Sequence, residues 1–202
     1  MLRPRDVSSE ATRRAILDAA GELLASGGEA GLSIREVCAR ASVTPPTVYH
    51  HFGDKAALVD RVVEECFTEF DQEAAKRTPP ADPVEALRWA ADGYLRYGVA
   101  RPTHYRLMFQ QRPARPSPAG LASYDRLRHL VAAIAAAGRL VAPIEDATAA
   151  CWCTLHGVTS LVIAGYLEPD APSVALVRDA MIAQLTRPPA TKRARARKGR
   201  RR

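Results

Sequence analysis

Residues Ser33 to Leu58 read SIREVCARASVTPPTVYHHFGDKAAL, and the order of caps, apolar spacings and breakers in this stretch decides the fold. Ser33-Ile34-Arg35-Glu36 fits a capping box, with serine and glutamate each satisfying an orphan backbone donor at a helix start. Ile34, Val37, Cys38 and Ala41 then recur at three- and four-residue intervals, which turns one apolar stripe inward and leaves Arg35, Glu36 and Arg40 in water. Ala41-Ser42-Val43 allows only a short connection before Thr44, a second cap candidate followed by Pro45 and Pro46. Proline is tolerated in a first helical turn, where its missing donor is not needed. Pro46 also biases Pro45 away from the α region, so the helix starts at either proline. Val48 and Phe52, four apart, face inward; Thr47, Tyr49, His50 and His51 supply hydroxyls and rings on the remaining faces. Gly53 ends this helix, and Asp54 caps the next, with Lys55 in its first turn. Two short helices about a tight turn, followed by a longer helix, make a helix-turn-helix, the arrangement that lays a second helix in the major groove of DNA.

The run Tyr49 to Leu58, preceded by Thr47, resembles the Y-x-H-F-x-x-K-x-x-L signature of TetR-family transcriptional regulators. The similarity reaches upstream through Thr12 to Ala20, which resembles the family's first helix, so about residues 10 to 58 are covered. The resemblance implies phosphate contacts for Thr47, Tyr49 and Lys55, which set register. It places Pro45, Pro46 and His50 against base edges, with Arg35 reaching from the preceding helix and Thr44 at the helix start. Relatives often carry Lys or Arg and Gly where this chain has Pro45-Pro46; proline offers only an apolar edge, suited to a thymine methyl.

The rest of the 202 residues reads as helix throughout, and the fold class is all-α. Glu10 to Ala25 is a first helix with Ile16, Leu17, Ala20, Leu23 and Leu24 on one stripe and Gly27-Gly28 as its stop. A fourth helix runs from Asp54 to about Ala75, and Asp82-Pro83 opens a fifth in which Val84, Leu87, Ala91, Tyr94, Leu95 and Gly98 share a face. A short helix over Thr103–Gln110, a proline-rich loop over Arg112–Pro118, and helices near 119–137, 144–166 and 172–186 complete the pattern. The expected division is a DNA-binding domain over 1–58, an effector-binding and dimerisation domain over 59–187 and a disordered basic tail over 188–202.

His104 to Phe109 and Trp152 to Gly157 resemble segments of a TetR effector-domain subfamily with a Trp-His-Gly feature. That resemblance implies a helical ligand-binding domain and a homodimer whose helices near 144–166 and 172–186 pair with their copies. Two-fold pairing also suits a reader of a pseudo-palindromic, double-stranded operator. Trp89, Tyr94, Tyr97, Tyr105, Met108, Phe109, Trp152 and His156 are the candidates for an effector chamber of aromatic and apolar groups with a few polar handles. The expected function is that of a ligand-responsive regulator, a repressor released from its operator by a small apolar or amphipathic effector. The helix that begins at Asp54 would be the lever, biasing a population shift. A non-specific architectural DNA-binding protein and a thiol-redox-sensing regulator are the alternatives.

No Gly-rich phosphate loop, metal-ligand helix motif or nucleophile elbow is present, so neither an enzyme nor a cofactor is expected. Cys38, Cys66, Cys151 and Cys153 give no disulfide framework, and no His/Cys spacing completes a zinc site. The run 147–167 lacks charge but carries five Thr, Ser and His side chains and two glycines, so it reads as a buried helix and no membrane partner is expected. MLRPRDVSSE lacks the apolar core of a signal peptide, which places the chain in the cytoplasm as an expectation.

The formal charge of +7 is misleading, because Lys192, Arg193, Arg195, Arg197, Lys198, Arg200, Arg201 and Arg202 account for all of it. Residues 1–55 carry as many acids as bases, so a nucleic-acid partner is argued from the motif and charge placement, not from the total. If the tail neutralises DNA phosphates, deleting 191–202 flattens the salt dependence of DNA affinity, by about 0.9 in the log–log slope for each phosphate no longer neutralised. An unchanged slope in salt-titrated binding assays would show that the tail does not touch DNA.

Overall fold

A computed structural model describes residues 4–110 and 117–188, and the helices are α1 (Pro4–Gly31), α2 (Ile34–Ala41), α3 (Pro45–Phe52), α4 (Lys55–Ala75), α5 (Pro83–Ala100), α6 (Pro102–Gln110), α7 (Pro118–Ala136), α8 (Ile144–Ile163) and α9 (Pro172–Leu185). The expected basic tail beyond 188 and most of the Arg112–Pro118 loop lie outside the described residues. The described residues carry no strand; a single antiparallel bridge joins Leu140 to Thr186.

Among the described residues two compact units emerge, one from residues 4–77, 100–110 and 117–124 and the other from 78–99 and 125–188. All of α4 packs in the first unit, because its buried stripe of Leu58, Val59, Val62, Val63 and Cys66 faces α1 and α6. The first core is completed from α1 and α2, where Ile16, Ala20, Leu24 and Val37 are at most 2% exposed. In the second unit Leu87, Val131, Ile134, Ala147, Cys151 and Ile182 form a cluster contributed by α5, α7, α8 and α9.

Several boundaries differ from the sequence reading for local reasons. The first helix begins at Pro4, ahead of Glu10, as proline's fixed φ permits at a helix start. It breaks at Gly28, whose φ of 60° only glycine adopts freely, and then continues briefly to Gly31. The eighth helix stops at Ile163, short of 166. Gly165 takes φ 79°, and the N–H groups of Gly165 and Tyr166 donate to Val162 and Leu161 carbonyls, a Schellman closure.

The second unit is pinned at its entry by Asp82. Its Oδ1 accepts from the N–H groups of Val84 and Glu85 at 2.9 and 3.1 Å, and its Oδ2 takes Arg139 Nη1 at 2.6 Å. The Glu85 N–H, with Arg139 and the Val84 N–H, holds this carboxyl below the usual carboxylate range. A depressed carboxyl stabilises the fold above the unfolded-state value, about 3.9, and loses that contribution as pH falls through the folded value. Asp82→Asn is therefore expected to melt below wild type at pH 7, and the gap should close as unfolding curves are taken below about pH 4; a gap independent of pH would refute the charged cap.

Candidate nucleic-acid interface

The turn between α2 and α3 is built from caps. Ser33 Oγ accepts the Glu36 N–H at 3.1 Å, as half of a capping box requires. The other half differs: the Glu36 carboxylate takes the Ser33 hydroxyl at 3.2 Å instead of reaching the serine's backbone N–H. Ser42 closes α2 in the left-handed region at φ 54°, the one non-glycine with positive φ among the described residues. Thr44 is the cap of α3 and Pro45 its first residue, so the choice between prolines falls to the earlier one. With φ −101° and ψ 156°, Thr44 is extended, which leaves Pro45 free to start the helix. Its hydroxyl meets Thr47 Oγ1 at 3.0 Å and does not cap a backbone N–H.

Of the eight residues of α3, only Val48 is fully buried. Phe52, expected inward, is half-buried, with the Arg13 guanidinium 5.6 Å above its ring. Pro45, Pro46, Tyr49 and His50 are all exposed, and Pro46 and His50, two residues to either side of Val48 and four apart, lie on the side of α3 opposite to it. Tyr49 is 48% exposed, Thr44 is exposed and Thr47 half-buried. A helix with its side chains is about 10–12 Å across and the DNA major groove about 12 Å wide, so a helix presented in this way fits that groove.

Charge is distributed unevenly over this unit. Glu65 gathers Arg13, Arg14 and Arg61 at 4.0, 2.9 and 3.6 Å, and Arg40 pairs with Glu22 at 3.1 Å. Arg35, exposed on α2, has no carboxylate partner among the described residues. Lys55 is partly withdrawn: its ammonium donates to the Glu29 carbonyl at 3.1 Å, just past the break in α1. Periodicity gave no sign of that bond or of the Arg13–Phe52 stacking.

The eight side chains expected in an effector chamber are divided between the units. Tyr105 and Met108 are buried in the first, where the Phe109 ring packs against Tyr105 and Phe67 with centroids 5.0 and 5.7 Å apart. Trp89, Tyr94 and Tyr97 belong to the second through α5, and Trp152 and His156 through α8. Tyr97 is buried, Trp152 is 41% exposed, and the rings of Trp152 and His156 lie 6.5 Å apart. Burial lowers the His156 pKa below its ordinary value, because desolvation penalises the imidazolium. The cysteines are all free; Cys66 and Cys151 are pushed up by desolvation to about 12 and about 11 and stay protonated, and Cys153 is exposed. No group of three or more His, Cys, Asp or Glu among the described residues could hold a metal ion, and no described helix is long and apolar enough to cross a membrane.

Two family models match the chain: bacterial regulatory proteins of the tetR family over residues 16–62, and the tetracyclin repressor-like C-terminal domain over 87–185. The chain belongs to the TetR family. This is a family of transcription regulators, not of enzymes. Among curated relatives, the Escherichia coli K12 HTH-type transcriptional regulator UidR is 28% identical over 104 residues, covering 52% of this chain and 49% of that protein. An HTH-type transcriptional repressor of Mycobacterium tuberculosis is 36% identical over 83 residues, 41% of this chain and 44% of that one. The chain thus spans about half the length of these curated relatives. Its TetR-like fold extends further. A TetR-family regulator from Marinobacter aquaeolei aligns with TM-score 0.72 at 18% identity, over 93% of this chain and 100% of that one. NalD of Pseudomonas aeruginosa, secondary repressor of the MexAB-OprM multidrug efflux pump, aligns with TM-score 0.67 at 20% identity, over 89% and 98%. At these identities the likeness is one of fold.

Two side chains near the α3–α4 junction should separate in a stability assay. Lys55→Met removes a charge-assisted bond and is expected to cost about 0.5–1.5 kcal/mol, whereas Tyr49→Ala, on a solvent-facing side, should stay within about 0.5 kcal/mol. Urea unfolding of both variants checks this, and equal losses would contradict the different environments.

Proposed function

We propose that the chain is a DNA-binding transcription regulator that acts as a homodimer and answers to a small molecule. The observation that carries the reading is the presentation of α3. Its one buried side chain faces the core while Pro45, Pro46, Tyr49 and His50 stand in solvent, and on the preceding helix Arg35 is left without a carboxylate among the described residues. In this reading Thr44, Pro45, Pro46 and His50 meet bases, Arg35 adds a donor in the groove, and Thr47, Tyr49 and Lys55 hold phosphates. Lys55 exchanges the Glu29 carbonyl for a phosphate, or spans both with its three donors.

Dimerisation is supported by the apolar side chains left in water on α8 and α9. Leu161, Leu176 and Val177 are 46%, 68% and 41% exposed, and Trp152 adds an indole on the same helix as Leu161. Exposed apolar groups concentrated on two adjacent helices mark a surface that a second copy covers. The repressor sense follows relatives that carry that name, in Mycobacterium tuberculosis and Pseudomonas aeruginosa. The response to a small molecule follows the family and the Trp152–His156–Gly157 resemblance, with the cytoplasm as the compartment where operator DNA is met. The division of labour is then DNA reading by the helices up to Leu58, effector binding and pairing by 59–187. The protonated state of the buried thiols counts against sensing through Cys66 or Cys151.

Selection from a random double-stranded DNA pool by the full-length protein should recover a pseudo-palindrome with two half-sites. Tyr49→Ala and Arg35→Ala are expected to weaken binding to the selected sequence while the fold persists, and Leu176→Glu to shift the protein toward monomer in sedimentation and to lose the paired half-sites. Recovery of unenriched DNA would overturn sequence-specific regulation in favour of architectural binding.

A further inference from the structure

A cleft of about 250 Å³ opens in the second unit between α5, the C-terminal half of α8 and the start of α9. None of the aromatic groups assigned above to an effector chamber lines it. Its apolar wall comes from Leu95, Leu155, Val158 and Val174. The size is slightly below the roughly 300–1,000 Å³ of sites for drug-sized ligands, which restricts an occupant to a few carbons.

Polar groups in the cleft are left open in an unusual way. Threonines in or just after a helix can donate to the carbonyl four residues back; Thr68 and Thr148 do so within their helices at 2.8 and 2.7 Å, and Thr186 does so at the end of α9 at 2.8 Å. The two threonines lining the cleft, Thr154 and Thr159, do not, and Thr159 Oγ1 is buried without any partner although the residue is only 1% exposed. A buried hydroxyl that bonds to nothing is costly, so it calls for a group that the protein does not supply.

The charges repeat the pattern. Arg178 is held by Asp92 and Asp179, and Asp179 also receives Arg88, so these four groups neutralise one another. Two further lining residues, Arg96 on α5 and Asp170 before α9, carry opposite charges, yet they pair neither with each other nor with another group among the described residues. One small cleft therefore offers a guanidinium and a carboxylate without partners among the described residues, unspent hydroxyls and a branched aliphatic wall.

We propose that this cleft binds a small zwitterion with an apolar side chain, a branched aliphatic α-amino acid. Its carboxylate meets the fork of donors on Arg96, its ammonium meets Asp170, and its side chain lies against Leu155, Val158 and Val174. This names the effector class of the regulator proposed above and rests on that reading only for the consequence on DNA, not for binding itself.

Calorimetric titration of the full-length protein with L-leucine tests it, run beside 4-methylpentanoate, which keeps only the carboxylate, and 3-methylbutylamine, which keeps only the ammonium. Saturable leucine binding is expected, with each analogue at least tenfold weaker. Arg96→Ala and Asp170→Ala, both on exposed side chains and confirmed folded by their melting curves, should each weaken leucine tenfold or more. Absence of saturable leucine binding, equal binding of either analogue, or unchanged affinity in both variants would overturn the proposal. The DNA selection on the same preparation separates the two readings: a recovered pseudo-palindrome without leucine binding overturns the cleft alone, and leucine binding with unenriched DNA overturns the regulator alone.

Discussion

An eight-residue helix with one fully buried side chain cannot hold itself, and α3 is such a helix. Its position is imposed from outside by the closures on either side. Ser42 turns the chain back in the left-handed region, Gly53 turns it again with a positive φ of 86°, and Asp54 accepts the Ala57 N–H at 2.7 Å to start α4 at once. Between these fixed ends Val48 is the rivet and the Arg13–Phe52 stacking a side brace. Almost none of the outward side of α3 is needed for stability, which leaves Pro45, Pro46, Tyr49 and His50 available for a partner.

The same separation of support from display governs charge in the first unit. Arginines that brace helices are tied to carboxylates, three of them to Glu65 alone. Exposed pairs of this kind contribute little each, about 0–1 kcal/mol. Their larger effect is to remove positive charge from faces other than the one that carries Arg35. Electrostatic attraction for a polyanion is thus set by which cation lacks a partner, a property that net charge does not report.

Glu64 gives a second example of one side chain fixing another element. Its carboxylate accepts both the Ser117 hydroxyl and the Ala119 N–H, the latter at 3.0 Å, and so caps the start of α7 from the middle of α4. Little more than one helical turn further along α4, the Glu69 carboxylate pairs with Arg101 and lies 2.7 Å from His104 Nδ1, both at the beginning of α6. The α4 helix therefore holds the N-terminal ends of two other helices by carboxylates. A rotation of α4 would disturb both of these ends.

The amino-acid sequence by itself determined the elements that depend on neighbours within about four residues. Caps at Ser33, Asp54 and Asp82, the proline start of α3, the glycine breaks at Gly28 and Gly53, and the apolar stripes of α1, α4 and α5 were all legible, because capping, φ restriction and helical periodicity act locally. Even the family resemblance was carried by such a local run, Thr47 to Leu58. What only tertiary structure decided joins residues far apart: Lys55 to Glu29, Glu64 to Ser117, Arg178 to Asp92, and the threonine hydroxyls left without a bond in the cleft. The aromatic residues and the methionine singled out from the sequence belong to both units, Tyr105, Met108 and Phe109 to the first and the others to the second, a division that composition does not report. Whether a polar group is satisfied depends on every element packed around it, and that information appears only when the chain has folded.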